Sequence, residues 1–545
     1  MISLFYYFVI AVFMFIYNPC TSENTSITTW EINKKENSNS INNPAEKESN
    51  NIQLRVFNIN GISEKFKNLI LSGILSTYEN SPNLGEAFAA FDSLIQMRPD
   101  RPEGYFLKTA LFLSLYQIDN STANFDSLKT YVDKTLAITE NQLKYYPNDQ
   151  YLLFYLGVIY GNIGLQNLRQ KSYWNAYWNG KKGKDYLEKA IKVDPTLADA
   201  ELGLGIFLYF ADIMPKYIKP LMFIVGLSGD REKGLKKIRF AVENSALSKV
   251  EAYYFLATIL NKYEGNIEEA QKIYKMLHSE FPKNLYYHYS MAVSSYENGN
   301  YLEAKKIFEE MNATWNRYYS RSVTYYLGCI LHAVGDYYNS TIYLKSLAFS
   351  YSERFKDRQC ETFYLIGLNY EYQNDRENAL VYYNYAKENG SKLYSEEIKN
   401  LLKTPLNSDD KIVKRVDTLI NSEAYSEAEK ILREKLNQIK NSNISNTQYS
   451  AMYNLQLAEV LFRQNRFGEF RTFFQDYTEK QYKENDIFLA RYHILGVVTN
   501  IGMNNDTAEE HIKKLKKIDL EKLPVYYQRK FNELQFRLFG EVKYR

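Results

Sequence analysis

The stretch Phe223–Lys237, FIVGLSGDREKGLKK, carries the residue types of a phosphate site. Gly229 and Gly234 are separated by four residues. That is the glycine spacing of G-x-x-x-x-G-K-[ST], in which backbone amides cradle the phosphates and the lysine reaches the outer ones. The chemistry fails at the next two positions. Leu235 and Lys236 follow Gly234, where Lys and then Ser or Thr are required. No acidic strand motif for a metal accompanies it. Nucleotide binding is set aside, and Gly234 needs another explanation.

The remaining chemistry-bearing residues form no catalytic constellation. His278, His288, His332, His493 and His511 are scattered, and no two share metal-ligand spacing on one helix face. No G-x-S-x-G, H-E-x-x-H or paired-cysteine motif occurs. No cofactor, metal site or catalytic residue is assigned. Trp174 and Trp178 are four apart, hence on one face of a helix. They are read either as glue for an inserted segment or as an aromatic anchor for a partner. With Tyr217, Asp230 and Arg231 they make up the candidate partner-binding set. Asp230 and Arg231 also suit a helix cap and a local ion pair.

Composition narrows the class. The chain has 545 residues, 67 basic against 64 acidic, for a net charge of +3. Without clustered Lys and Arg it lacks the footprint of a nucleic-acid binder. The 50 Tyr and 31 Phe fit either AT-rich codons or a stacking surface. Three cysteines are too few for a disulfide framework. Cys329 and Cys360 are expected as two separate thiols.

Leu4–Tyr17, LFYYFVIAVFMFIY, is an unbroken apolar run. It reads as a cleaved secretory signal, with an uncleaved membrane anchor or a lipidated Cys20 as alternatives. Residues 1–22 are assigned to this signal or anchor. Residues 23–60, rich in Asn and Ser, read as a disordered linker. An exported location follows: periplasmic, membrane-anchored or secreted, with the bacterial cell envelope favoured.

The elements that position all of this recur. Pairs of small residues stand twelve apart: Ala292 and Ala304, Gly328 and Ser340, Gly367 and Ala379, Gly496 and Ala508. Ala270, Ala304, Ser340 and Ala379 follow one another at intervals of 34, 36 and 39, the period of a helix–turn–helix solenoid. Two antiparallel helices cross closely only where bulk is missing. These segments resemble tetratricopeptide repeats. LLFYLGVIYG (Leu152–Gly161) carries that family's first-helix signature, and DYLEKAIKVDP (Asp185–Pro195) its second. The resemblance implies an all-α, right-handed helical-repeat solenoid of about ten helix pairs. An array over 61–390 is followed by a degenerate one over 391–545 with a capping helix. Asn389–Asp410 interrupts the rhythm between them.

Two repeats break the register. Gly157 finds its partner only at Gly183, and Gly203 only at Gly234, well beyond the twelve-residue interval. The surplus predicts inserted loops near 161–182 and 211–230. Gly234 thereby becomes a helix-crossing residue. Pro215, Pro220, Gly229, Asp230, Arg231, Gly234 and Leu235 resemble a subgroup of tetratricopeptide proteins. It includes eukaryotic outer-membrane and inclusion-clearance members and exported bacterial ones. The expectation is a non-enzymatic scaffold that binds an unknown protein or peptide in a Tyr-lined groove. A glycan- or envelope-polymer-binding module is the alternative.

Overall fold

Among the described residues the chain is built from 24 α-helices and no strand. The computed structural model describes 62–542, with 81–83, 120–121, 170–171, 214–228, 314–319, 352–354, 391–393, 442–446, 476–478, 484, 502–503, 521–522 and 541 excepted. The signal or anchor, the linker, Tyr217, Pro215 and Pro220 lie outside the described residues.

The helices run in successive pairs. They begin with α1 (Glu64–Asn80) and α2 (Gly85–Met97), α3 (Glu103–Asp119) and α4 (Thr122–Tyr145), α5 (Gln150–Arg169) and α6 (Tyr173–Val193), and α7 (Ala198–Asp212) and α8 (Arg231–Asn244). Then come α9 (Lys249–Ile259), continued by a π-turn over Leu260–Glu264, and α10 (Ile267–Glu280). Next are α11 (Leu285–Glu297) and α12 (Tyr301–Ala313), α13 (Ser320–Ala333) and α14 (Tyr337–Ala348), and α15 (Lys356–Tyr372) and α16 (Arg376–Glu388). After α17 (Ser395–Lys403), pairing resumes with α18 (Ser408–Asn421) and α19 (Tyr425–Asn441), α20 (Thr447–Arg463) and α21 (Phe467–Gln475), and α22 (Asp486–Asn500) and α23 (Asn505–Leu515). The series ends with α24 (Val525–Phe539).

The chain divides into two compact units. One comprises residues through Thr258 with Lys272–Tyr287, the other Ile259–Gln271 with His288 onward. The interruption at 389–410 falls inside the second unit rather than between two arrays. Its helix α17 is tied in by polar contacts. Tyr364 donates to Glu397, Tyr394 stacks on Tyr364 at 4.5 Å, and Arg376 donates to the Leu401 carbonyl.

In the first unit, the pair α5–α6 corrects one expectation. The surplus residues do not make a loop. They lengthen both helices, to 20 and 21 residues. A Cβ on Gly164 would lie 2.7 Å from the Gly180 nitrogen, one on Gly183 2.6 Å from the Gly161 nitrogen, and one on Gly157 2.7 Å from Leu187. Positions 157, 161 and 164 climb α5 as 187, 183 and 180 descend α6, an antiparallel crossing held close over two to three turns. The second register also shifts. A Cβ on Gly234 would meet the Gly205 carbonyl at 2.7 Å and the Tyr209 nitrogen at 2.6 Å. Its partner is therefore Gly205 rather than Gly203, which shortens the insertion by two positions. Gly203 faces the other way, onto Leu187 of α6 at 2.9 Å. Two glycines on α7 serve two different neighbours, and spacing alone selects the wrong one.

The same unit is closed by its earliest helix. Tyr78 of α1 donates to Glu251 of α9, and its carbonyl accepts from Asn284 at 2.7 Å. The buried Asp199 accepts from the Ala246, Leu247 and Ser248 amides and the Ser248 hydroxyl, at 2.7–2.9 Å.

In the second unit one turn recurs. Gly265, Gly299, Gly335, Asn374, Glu423 and Asn465 all have positive φ, between 58° and 87°. Each stands five residues before the second-helix residue of its repeat: Ala270, Ala304, Ser340, Ala379, Ala428 and Phe470. The left-handed residue ends the first helix, and an N-cap starts the second. Asp336 and Asp375 fill that cap, accepting from the Asn339 and Asn378 amides at 3.2 and 3.1 Å. Ala270, Ala292, Ala304 and Ala379 are fully buried. Gly328, Gly367 and Gly496 are covered by Leu344, Tyr383 and His511. The Ser340 hydroxyl donates to the Gly328 carbonyl at 2.7 Å, so polarity as well as size suits that crossing.

Helix α24 does more than cover the stack. Arg529, buried, donates to Glu297 at 3.0 Å and to the Lys262 carbonyl at 3.1 Å. Asn532 donates to the same carbonyl at 3.1 Å. Gly265 lies directly against the Asn532 backbone, where no side chain fits. The beginning and end of the unit are thus bonded together, although Glu297 and Arg529 are far apart in sequence.

Candidate functional site

Trp174 and Trp178 stand on the first turns of α6, not in a loop. They are 68% and 51% exposed. Their rings meet edge-on at 5.8 Å, and Tyr177 packs against Trp178 at 4.9 Å. The indoles lean on each other and, through Tyr177, form one aromatic cluster at the start of the helix. Two turns on, Lys182 donates to the Tyr160 hydroxyl and lies over its ring at 3.7 Å. Lys181 pairs with Asp185 at 3.0 Å and Lys184 with Glu188 at 2.7 Å.

Asp230 and Arg231 start α8. Asp230 is its N-cap: the carboxylate accepts from the Lys233 amide at 2.9 Å. Its own amide donates to the Leu208 carbonyl at 3.0 Å, and Gly229 is pressed against the end of α7. These residues dock the start of α8 onto α7. They and the tryptophans belong to different helices, and no contact joins Trp174 or Trp178 to Asp230 among the described residues.

The first-helix tyrosines expected to line a groove divide: Tyr253, Tyr254, Tyr286 and Tyr296 are half-buried, and others are buried outright. Tyr287, Tyr289, Tyr325, Tyr326 and Tyr364 are buried. Tyr325 donates to Glu361 at 2.6 Å, and Tyr326 stacks on Phe308 at 5.2 Å. Their rings fill the space between repeats.

The exposed aromatic surface lies instead on second helices. Tyr338, Ile342 and Phe349 at α14 are 68%, 52% and 65% exposed, and Val381 and Tyr385 of α16 are exposed beside them. Phe349 meets Tyr385 at 5.2 Å, which joins the two helices' outer faces into one patch. Lys345 lies over both Tyr370 and Tyr382, at 5.1 and 5.3 Å. Sequence reasoning missed this stripe. The signal was present, because α14 carries apolar residues on two faces at i, i+4 spacing: Leu344 and Ala348 inward, Tyr338 and Ile342 outward.

Buried charge also gathers in the second unit. Arg491 makes two bonds to Glu459, at 2.7 and 3.0 Å, and one to Asp417 at 2.6 Å. Arg463 reaches Glu459 at 3.2 Å. Burial alone would raise the Glu459 carboxyl, but Arg491 and Arg463 outweigh it and hold the group down at about 2. Burial works against the Arg491 charge, yet Asp417 and Glu459 keep it firmly protonated. Groups fixed this strongly in one ionisation state do not exchange protons near neutrality.

His493 and His511, apart in sequence, meet through their Nδ1 atoms at 2.9 Å. Burial and then His511 push His493 down to about 4, and burial lowers His511 as well, so both rings stay neutral. His332 Nδ1 pairs with Asn369 at 2.6 Å, and burial lowers it to about 3. No group of three or more His, Cys, Asp or Glu able to hold a metal occurs among the described residues. Cys329 and Cys360 are both buried and unbridged, and burial pushes the Cys329 thiol up.

Residues 165–339 match the family model described as Iml2/Tetratricopeptide repeat protein 39. Among solved structures the chain is similar to yeast Tom70, at 15% identity over 82% of this chain and 91% of that one, with a TM-score of 0.29. A tetratricopeptide repeat protein from Parabacteroides merdae matches at 15% identity over 63% and 100%, with a TM-score of 0.24. The tetratricopeptide domain of P58(IPK) matches at 12% over 73% and 99%, with a TM-score of 0.20. The part of the chain matched by that model, residues 165–339, carries repeats of the tetratricopeptide type.

Proposed function

We propose that the chain is a non-enzymatic scaffold that holds protein partners in the cell envelope or secreted space. The tetratricopeptide-type repeat is an architecture typical of protein–protein interaction. The observation that carries the reading for this chain is the outward patch of Tyr338, Ile342, Phe349, Val381 and Tyr385. Contiguous exposed apolar side chains mark interaction surfaces, and large aromatic groups dominate their energetics. The apolar Leu4–Tyr17 run supports export and attachment at a membrane.

The test places a photo-crosslinking residue at Ile342 and, separately, at the exposed Asn244 of α8. A specific crosslinked band at Ile342 alone, lost in Y338A/Y385A, is the expected result. Equal crosslinking at both positions, or a band that survives Y338A/Y385A, defeats the reading. Fractionation of the chain, with the segment Met1–Ser22 present or deleted, tests the location. Full retention in the cytosolic fraction in both forms rules out the envelope.

A further inference from the structure

We propose that the outer face of α6 is a membrane-docking surface: Trp174 and Trp178 enter the interfacial layer of a bilayer while the lysines beyond them engage anionic lipid headgroups. Along α6, positions 174, 178, 181, 182, 185, 188, 189 and 192 fall on one side at i, i+4 and i+7 spacing. The two indoles occupy one end and lysines most of the rest.

Helix α6 is net positive, as is α8, but α6 alone of the two combines that charge with exposed indoles. Residues 173–193 hold Lys181, Lys182, Lys184, Lys189 and Lys192 against Asp185 and Glu188, which is 5 − 2 = +3. Lys189 and Lys192 have no carboxylate partner among the described residues, so their charge is available to an anionic surface. An indole is apolar with one polar N–H, the character enriched at membrane–water boundaries. Lysine is depleted from protein–protein interfaces but suits lipid headgroups, its stem lying along apolar matter. Exposed Trp with Lys free of carboxylate partners on the same helix face therefore favours lipid over protein as the occupant.

The geometry supports lying on the membrane rather than crossing it. No described helix is long and apolar enough to span a bilayer. Helix α6 is pinned to α5 along its glycine face, so only its outer face is free to settle on a surface. The apolar run ends at Tyr17, and the first described residue is Ile62. On the sequence reading of Leu4–Tyr17 as an uncleaved anchor and 23–60 as a linker, the first unit would stay within roughly 35–40 Å of the bilayer. Docking then becomes an intramolecular event, and a modest surface suffices.

The test uses the full chain with Trp30 and Trp315 replaced by Phe, so that emission reports Trp174 and Trp178 alone. It is reconstituted in nanodiscs of phosphatidylcholine with or without phosphatidylglycerol. Each lysine near an anionic surface is worth about 1 kcal/mol, or about fivefold. The expected result is a blue-shifted indole emission, quenched by brominated lipid, in anionic discs only. High salt reverses it, and K189Q/K192Q lowers the docked-to-undocked ratio roughly 30-fold. Both substitutions leave the helical circular dichroism unchanged. Indoles that stay water-accessible in anionic discs overturn the proposal. So does equal quenching in neutral discs. A response to an added soluble protein without any response to lipid would make the face a protein interface and overturn it too.

Discussion

Gly180 and Gly183 lie one turn apart on α6, yet substitution should affect them oppositely. A Cβ on Gly183 would press on the Gly161 backbone, which has no rotamer with which to yield. Gly183→Ala should cost about 1–3 kcal/mol, seen as a lower urea midpoint. A Cβ on Gly180 meets nothing within 4 Å, so Gly180→Ala should gain up to about 1 kcal/mol in helix propensity. Equal effects would mean that the α5–α6 crossing is looser than described. Glu251 supplies a second residue-scale prediction. Burial raises its carboxyl from 4.5 to about 7. Between those values the folded chain holds a proton that the unfolded chain has lost, so stability falls as pH rises through the window. Gln at this position keeps the acceptor for Tyr78 and cannot ionise. The denaturation midpoint of E251Q should therefore lose that slope, and a slope equal to wild type would refute the assignment.

At the scale of elements, helix α24 rests on Arg529. Truncating it leaves Glu297 buried without its partner, a loss of about 3–5 kcal/mol for a broken buried pair. R529A should lower the second unit's melting temperature sharply, and E297M/R529M should recover part of the loss by removing both charges. A double variant no better than R529A would assign the effect to packing. Much of this level was legible in the sequence. The twelve-residue interval placed Ala304, Ser340 and Ala379 at their crossings because close approach demands small residues in a fixed register. The insertions were less legible. Inserted residues were expected as loops, whereas Gly161, Gly164, Gly180 and Gly183 let two helices continue side by side. The partner of Gly234 was misplaced by two positions because Gly203 and Gly205 are equivalent in sequence and opposite in orientation. The pairing of Arg529 with Glu297 is long-range and left no local pattern.

At the scale of the whole molecule, the two units should answer acid in opposite senses. The first gains through Glu251 as pH falls from about 7 towards 4.5. The second loses through His493. That ring is held neutral down to about 4, while the unfolded chain takes up a proton near 6.5, so stability present above 6.5 is lost as pH falls through that window. Glu479, Glu510, Lys514 and Tyr492 face the same pair and modulate it. Hydrogen exchange at about pH 7.5 and about pH 5.5, corrected for intrinsic rates, should show protection rising around Glu251 and falling in α22–α23. A change of the same sign in both regions would sink this. The candidate surfaces were half legible. The tryptophans announced themselves by spacing. The Tyr338–Phe349 stripe did not, because outward and inward apolar positions interleave on one helix. Finally, the bond between Arg529 and Glu297 bears on how the chain is made. Repeat arrays ordinarily fold as they emerge, each pair settling on the one before. Here a contact between distant parts of the chain must close, and loop closure cannot precede the arrival of its second end. The second unit is therefore left unlatched on the ribosome until Val525–Phe539 appears, and a nascent chain stalled before that helix should stay open to protease.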